Sequence, residues 1–290
     1  MFKGSLVAIV TPFRDGQLDE AAFKSLLEFH VVNGTHGIVV CGTTGESPTL
    51  SSAEFERVVN LALETINGRL PVIVGTGTNS TEVTLKKTHY AKKAGADGVL
   101  IVAPYYNKPT QEGLYQHYWK VAEEGDIPII VYNVPGRTSS NVLPETMARL
   151  AEHPHIVGLK EATGSLQQAL NTLGLCGDKI TLLSGDDALT LPLLAIGGKG
   201  VISVTANIAP AEVAEVVNEF ERGNLAKARE LHYKLLPLHN AMFYETNPIP
   251  VKTALGLMGK CSSELRLPLA PMQPANLERL KKALKDYGLI

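Results

Sequence analysis

Only three cysteines occur in 290 residues, Cys41, Cys176 and Cys261, an odd number at wide spacing. They offer neither a disulfide framework nor a Cys-x-x-Cys metal or redox pair, and a reducing cytoplasm is the expected location. An excess of one charge is also lacking. With 27 basic against 29 acidic side chains the formal net charge is −2, which gives no electrostatic reason to expect nucleic acid or an anionic membrane surface as partner. No apolar run approaches the roughly 18 residues that suggest a membrane span. The segment Met1–Pro12 holds one Lys and an apolar run of only Leu6–Val10, too short for the core of a signal peptide and without a small-residue cleavage site. Low-complexity tracts and short repeats are missing as well. These absences predict a soluble, unexported protein with small molecules as its expected partners.

What is present is core-forming material in alternation. Apolar residues make up 44% of the chain, enough for a sizeable core. Eight short apolar runs read as strands: Ser5–Val10, Ile38–Cys41, Val72–Val74, Val99–Val102, Ile129–Val131, Ile156–Leu159, Thr181–Leu183 and Val201–Val204. Most are continuously apolar, as parallel strands covered on both faces are. Between them lie segments of helical period near Glu20–Val32, Ser52–Ile66, Thr81–Ala94, Glu112–Glu123, Pro144–Ala151, Leu166–Leu173 and Ala188–Ala195, with Gly34, Gly68, Gly95 and Gly174 at expected C-terminal caps. A closed (β/α)₈ TIM barrel and an open doubly wound sheet both have this rhythm, and the count of eight favours closure. After Val204 the strands stop. Ala211–Arg222, Asn224–Phe243, Pro250–Met258 and Pro274–Tyr287 read as helices, predicting a catalytic barrel over residues 1–223 and a small C-terminal helical appendage over 224–290.

In such barrels the reacting groups sit where strands end. Lys160 ends the run Ile156–Leu159, so its amine is expected in the barrel mouth over an apolar floor, where desolvation lowers the pKa of a nucleophile. Position alone leaves open a strand-end lysine paired with Glu161. Lys199 precedes its strand and belongs to the opposite face. Gly42-Thr43-Thr44-Gly45 supplies hydroxyls and backbone N–H groups suited to a carboxylate or phosphate, or else a tight turn; it lacks the Gly-Lys-Ser/Thr ending of a P-loop. Tyr132 and the pair Tyr105-Tyr106 offer hydroxyls that donate and accept, or packed rings. Arg137 in a Gly-flanked loop suits a substrate carboxylate or a structural pair. His153-x-His155 approaches a strand from its lower end with no further ligands, Gly75-x-Gly77 lacks the rest of a dinucleotide fingerprint, and Asp186-Asp187 reads as a helix N-cap.

Gly42–Ser47, Tyr132–Thr138 and Gly158–Gly164, supported by Gln111–Tyr118, Ser184–Asp187, Gly200–Asn207 and Asn247–Lys252, together resemble the dihydrodipicolinate synthases, pyruvate-dependent class I aldolases of the N-acetylneuraminate lyase superfamily. The likeness spans Gly4 to Pro268. It implies a lyase in which Lys160 forms an imine with pyruvate and adds it to L-aspartate 4-semialdehyde, in diaminopimelate and lysine biosynthesis. Tyr132, Thr43 and Tyr106 would relay protons, Tyr106 reaching in from a neighbouring subunit. Thr43 and Thr44 would hold the pyruvate carboxylate and Arg137 that of the aldehyde, with Gly185 and Ile202 completing the substrate-binding set. The resemblance further implies no metal or organic cofactor, and a homotetramer built as a dimer of tight dimers. Ser47, Asn79 and Tyr105 match an allosteric cleft, but Ser52, Phe55 and Val83 stand where lysine-inhibited members carry two histidines and a glutamate, so lysine feedback is expected to be weak or absent. The alternative is another pyruvate-dependent lyase acting on N-acetylneuraminate or a ketodeoxysugar acid. That reaction needs sugar-hydroxyl contacts where this chain offers Gly136-Arg137-Thr138.

Overall fold

The computed structural model describes residues 2–290. Among them, eight parallel strands close into a barrel: Gly4–Ala8, Gly37–Val40, Val72–Gly75, Gly98–Val102, Ile129–Asn133, Ile156–Glu161, Thr181–Ser184 and Gly200–Ser203. The first strand pairs with both the second, Leu6 against Gly37, and the eighth, Gly4 against Gly200, which is the closure. Alternation of side chains along each strand then divides the apolar residues between two compartments. Leu6, Ala8, Val39, Ile73, Leu100, Ile130, Leu183 and Ile202 fill the barrel interior. Val7, Ile38, Val40, Val72, Val74 and Leu159 face outward into a larger layer shared with the surrounding helices. With apolar side chains on both faces, the strands read as uninterrupted runs.

Local chemistry sets the helix bounds. Ser51 opens Ser52–Ile66 with a capping box, its hydroxyl accepting from Glu54 N while the Glu54 carboxylate accepts from Ser51 N. Ser80 caps Thr81–Ala94, and Gly95 at φ +98° ends it. Gly34 and Gly68 also have positive φ just beyond helices. Gly174 is a correction: the helix Leu166–Cys176 runs through it and stops at Gly177, φ +56°. A glycine three residues short of a usable stop does not end a helix whose next carbonyls still find donors. A second correction concerns Ala188–Ala195, which divides into a 3₁₀ turn, Asp187–Leu189, and the helix Thr190–Ala195. Small elements escape the sequence pattern, among them a hairpin of Phe13–Arg14 with Gln17–Leu18 and a helical turn over Pro135–Thr138.

The helices Leu225–Ala241, Ile249–Leu257 and Pro274–Tyr287 follow the barrel. Leu235, Val251 and Leu280 belong to the same continuous apolar layer as the barrel's outward-facing residues. No helix of the described residues is long and apolar enough to cross a membrane.

Candidate active site

The carboxyl ends of the strands surround a cavity of about 160 Å³ that brings together Thr43, Thr44, Tyr132, Arg137, Lys160 and Gly185. Ala8, Val39 and Leu100 form its apolar floor. Lys160 stands next to Tyr132 in the register of the fifth and sixth strands, and its Nζ lies 4.2 Å from the centroid of the Tyr132 ring.

The expected alternative partner for Lys160 is engaged elsewhere. Strand alternation turns Glu161 away, and its Oε1 accepts from Thr163 N at 2.6 Å. Asp187 is also committed: its carboxylate accepts from Ser203 Oγ, from Val204 N at 2.9 Å and from Thr205 N at 3.1 Å. This corrects the reading of Asp186-Asp187 as one cap, since only Asp186 caps the 3₁₀ turn, accepting from Ala188 N, whereas Asp187 ties the seventh strand end to the eighth. With Lys160 only 5% exposed, burial pulls its pKa down to about 7; Asp187 nearby opposes this and Arg137 adds to it. A substantial fraction is therefore free amine at neutral pH. The same burial raises Tyr132 above the ordinary phenol value, against the smaller pull of Arg137 and the Thr43 hydroxyl. Burial pushes the Cys41 thiol up to about 12, which leaves it inert.

Gly185 has a steric reason. A Cβ there would fall 2.8 Å from Ala162 Cβ and 3.1 Å from Lys160 Cε, so only glycine lets this backbone pass the lysine side chain. The Gly42–Ser47 turn is held by Gly45 N→Gly42 O and Glu46 N→Thr43 O, both 3.1 Å, and by Thr11 Oγ1 donating to Gly45 O at 2.7 Å. Its Thr44 hydroxyl accepts from Asn247 Nδ2 at 3.0 Å. Arg137, on the turn after the fifth strand, donates from one guanidinium nitrogen to Asn247 O at 3.2 Å and makes no ion pair among the described residues. Its charge stays available to a ligand carboxylate.

Not every residue singled out in the sequence lies here. Ile202 is fully buried in the barrel interior, beneath the cavity rather than in its wall. Tyr106, at φ +73°, is 87% exposed and does not line this cavity. Ser47 and Tyr105 line a second cavity of about 220 Å³, which shares Thr43 and Arg137 with the first; Asn79 is outside that wall, its carbonyl accepting from Asn107 Nδ2. Lys87 also lines this second cavity, its ammonium 4.8 Å from the Phe55 ring centroid. Phe243 and Asn247 line the main cavity but were not among the sequence-derived site residues. His155 bonds Ala122 O and Asp126, and no group among the described residues is arranged to hold a metal ion.

A sequence model described as "Dihydrodipicolinate synthetase family" matches residues 1–287. A 4-hydroxy-tetrahydrodipicolinate synthase of Thermodesulfovibrio yellowstonii is 60% identical over 290 residues, covering both chains in full. The solved dihydrodipicolinate synthase of Thermotoga maritima superposes with a TM-score of 0.98 at 52% identity, with full coverage of both chains. The chloride-inhibited dihydrodipicolinate synthase of Acinetobacter baumannii, solved in complex with pyruvate, gives 0.98 at 46% identity with the same coverage.

Proposed function

Since the chain belongs to the dihydrodipicolinate synthetase family, a family of lyases, we propose that it condenses pyruvate with L-aspartate 4-semialdehyde through an imine on Lys160, the 4-hydroxy-tetrahydrodipicolinate synthase reaction of diaminopimelate and lysine biosynthesis. The observation that carries this reading is a buried lysine with no carboxylate bonded to it, its pKa near 7, beside a phenol and two threonines.

The neutral amine of Lys160 attacks the pyruvate keto carbon, and the adduct loses water to give the protonated imine. This imine accepts the electron pair of the methyl C–H bond as the proton leaves, forming an enamine. The enamine carbon then attacks the aldehyde carbon of the second substrate. Attack by that substrate's own amine on the imine carbon closes the ring and releases Lys160. No step is routed through a metal or organic cofactor, because the imine serves as the electron sink. Thr43 and Thr44 hold the pyruvate carboxylate, and Arg137 takes that of the aldehyde in a charge-assisted pair. Tyr132 passes protons at the imine, linked through Thr43 to Tyr106 of a second copy. The exposure of Tyr106 supports assembly as tight dimers, which would pair into a homotetramer. The enzyme would work in the cytoplasm.

A coupled assay tests the substrate assignment. Turnover is expected with pyruvate and L-aspartate 4-semialdehyde and not with N-acetylneuraminate; the reverse result would move the chain to the sugar-acid lyases.

A further inference from the structure

Glu46 and Lys252 form an ion pair at 2.6 Å with both side chains essentially inaccessible to solvent. The second Glu46 oxygen accepts from Arg266 N at 3.1 Å. Glu46 closes the turn that carries Thr43 and Thr44, at φ +53°. Lys252 sits five residues beyond Asn247, whose side chain donates to the Thr44 hydroxyl. One post-barrel segment therefore grips the turn on two sides.

A buried ion pair is a poor device for stability, because desolvation of both charges offsets most of their attraction, and well-packed apolar residues often serve as well. It is a good device for fixing geometry, since each charge tolerates only a narrow range of positions. We propose that Glu46 and Lys252 are positioning residues for pyruvate: their pair anchors the Gly42–Ser47 turn to the segment Asn247–Lys252 and so sets where Thr43 and Thr44 meet the substrate carboxylate. The proposal rests on the assignment of those two threonines to that carboxylate.

The test uses the full-length enzyme and the double variant Glu46→Gln/Lys252→Met, which removes both charges together. The expected variant melts cooperatively and still yields a borohydride-trapped pyruvate adduct at saturating pyruvate. Its KM for pyruvate rises about tenfold while that for the aldehyde stays within about twofold. A folded variant with wild-type pyruvate KM would overturn the proposal, as would equal losses toward both substrates. If the double variant does not fold, the isosteric single variant Glu46→Gln carries the same expectation and the same contrary result. A wild-type enzyme that traps no pyruvate removes the parent reading and this proposal with it, whereas normal trapping with unmoved KM removes this proposal alone.

Discussion

The Nζ of Lys160 and the ring of Tyr132 lie 4.2 Å apart on adjacent strands, and one cause, burial, shifts their pKa values in opposite directions. Both groups are driven toward their neutral forms near pH 7, the amine to attack and the phenol to give or take a proton. Replacing Tyr132 with Phe keeps the ring and removes the relay. We expect kcat to fall about 10²- to 10⁴-fold with the imine still trappable; unchanged kcat would remove Tyr132 from proton transfer.

The lowered lysine pKa sets the pH dependence. Pyruvate capture rises as pH passes through about 7 and levels off above it. For stability the sign is opposite to that of an ion pair. Below about 7 the folded state must bury a charged ammonium, and this penalty fades as pH rises from the folded toward the unfolded lysine value. Lys160→Met therefore abolishes activity yet melts at a higher temperature than wild type at pH 6, with the gap narrowing by pH 9. A variant that melts lower at pH 6 would contradict the desolvated-lysine account.

Among the described residues the Arg137 guanidinium makes one hydrogen bond, to Asn247 O, and no ion pair. Arg137→Ala is expected to raise the KM for the aldehyde about 10- to 100-fold, the loss of a charge-assisted pair, with pyruvate KM little changed. Lys at this position restores only part of the binding, because it lacks the planar fork. Steady-state kinetics with each substrate varied in turn decides the matter.

Tyr106 is exposed and does not line the cavity of its own chain. Mixing two inactive variants, Lys160→Ala and Tyr106→Phe, and allowing subunits to exchange should regenerate activity, since a hybrid pair contains one site with both residues intact. No recovery after demonstrated exchange would place the relay within one chain.

The second cavity presents Lys87 and Arg137, with the Phe55 ring beneath the lysine ammonium. Two cations and no facing acid disfavour a further ammonium ion. Added lysine is expected to inhibit weakly or not at all, and half-maximal inhibition at submillimolar lysine would refute this.

The barrel was legible because parallel strands buried on both faces leave continuous apolar runs, and because Ser51, Ser80 and Gly95 mark helix ends by side-chain chemistry. The rule that reacting groups gather at strand ends singled out Lys160, Thr43, Tyr132 and Arg137, each one or a few residues past an apolar run, and the four line one cavity. It had no purchase on Phe243 and Asn247, which come from the helical appendage and reach the cavity only through tertiary packing. Asp187 misled for a related reason: an acidic pair before a helix looks like a cap, and only the neighbouring strand end supplies the donors that bury one member of it. The Phe13–Leu18 hairpin was missed because its strands are two residues long, although Asp15-Gly16 has the positive φ values of a tight hairpin turn.

The most direct test of the account is reduction of the enzyme with borohydride in the presence of pyruvate, followed by mass mapping of its peptides. A pyruvate-derived adduct is expected on the peptide containing Lys160, absent without pyruvate and absent from Lys160→Met. A pyruvate-dependent adduct on another lysine, or none at all, would contradict it.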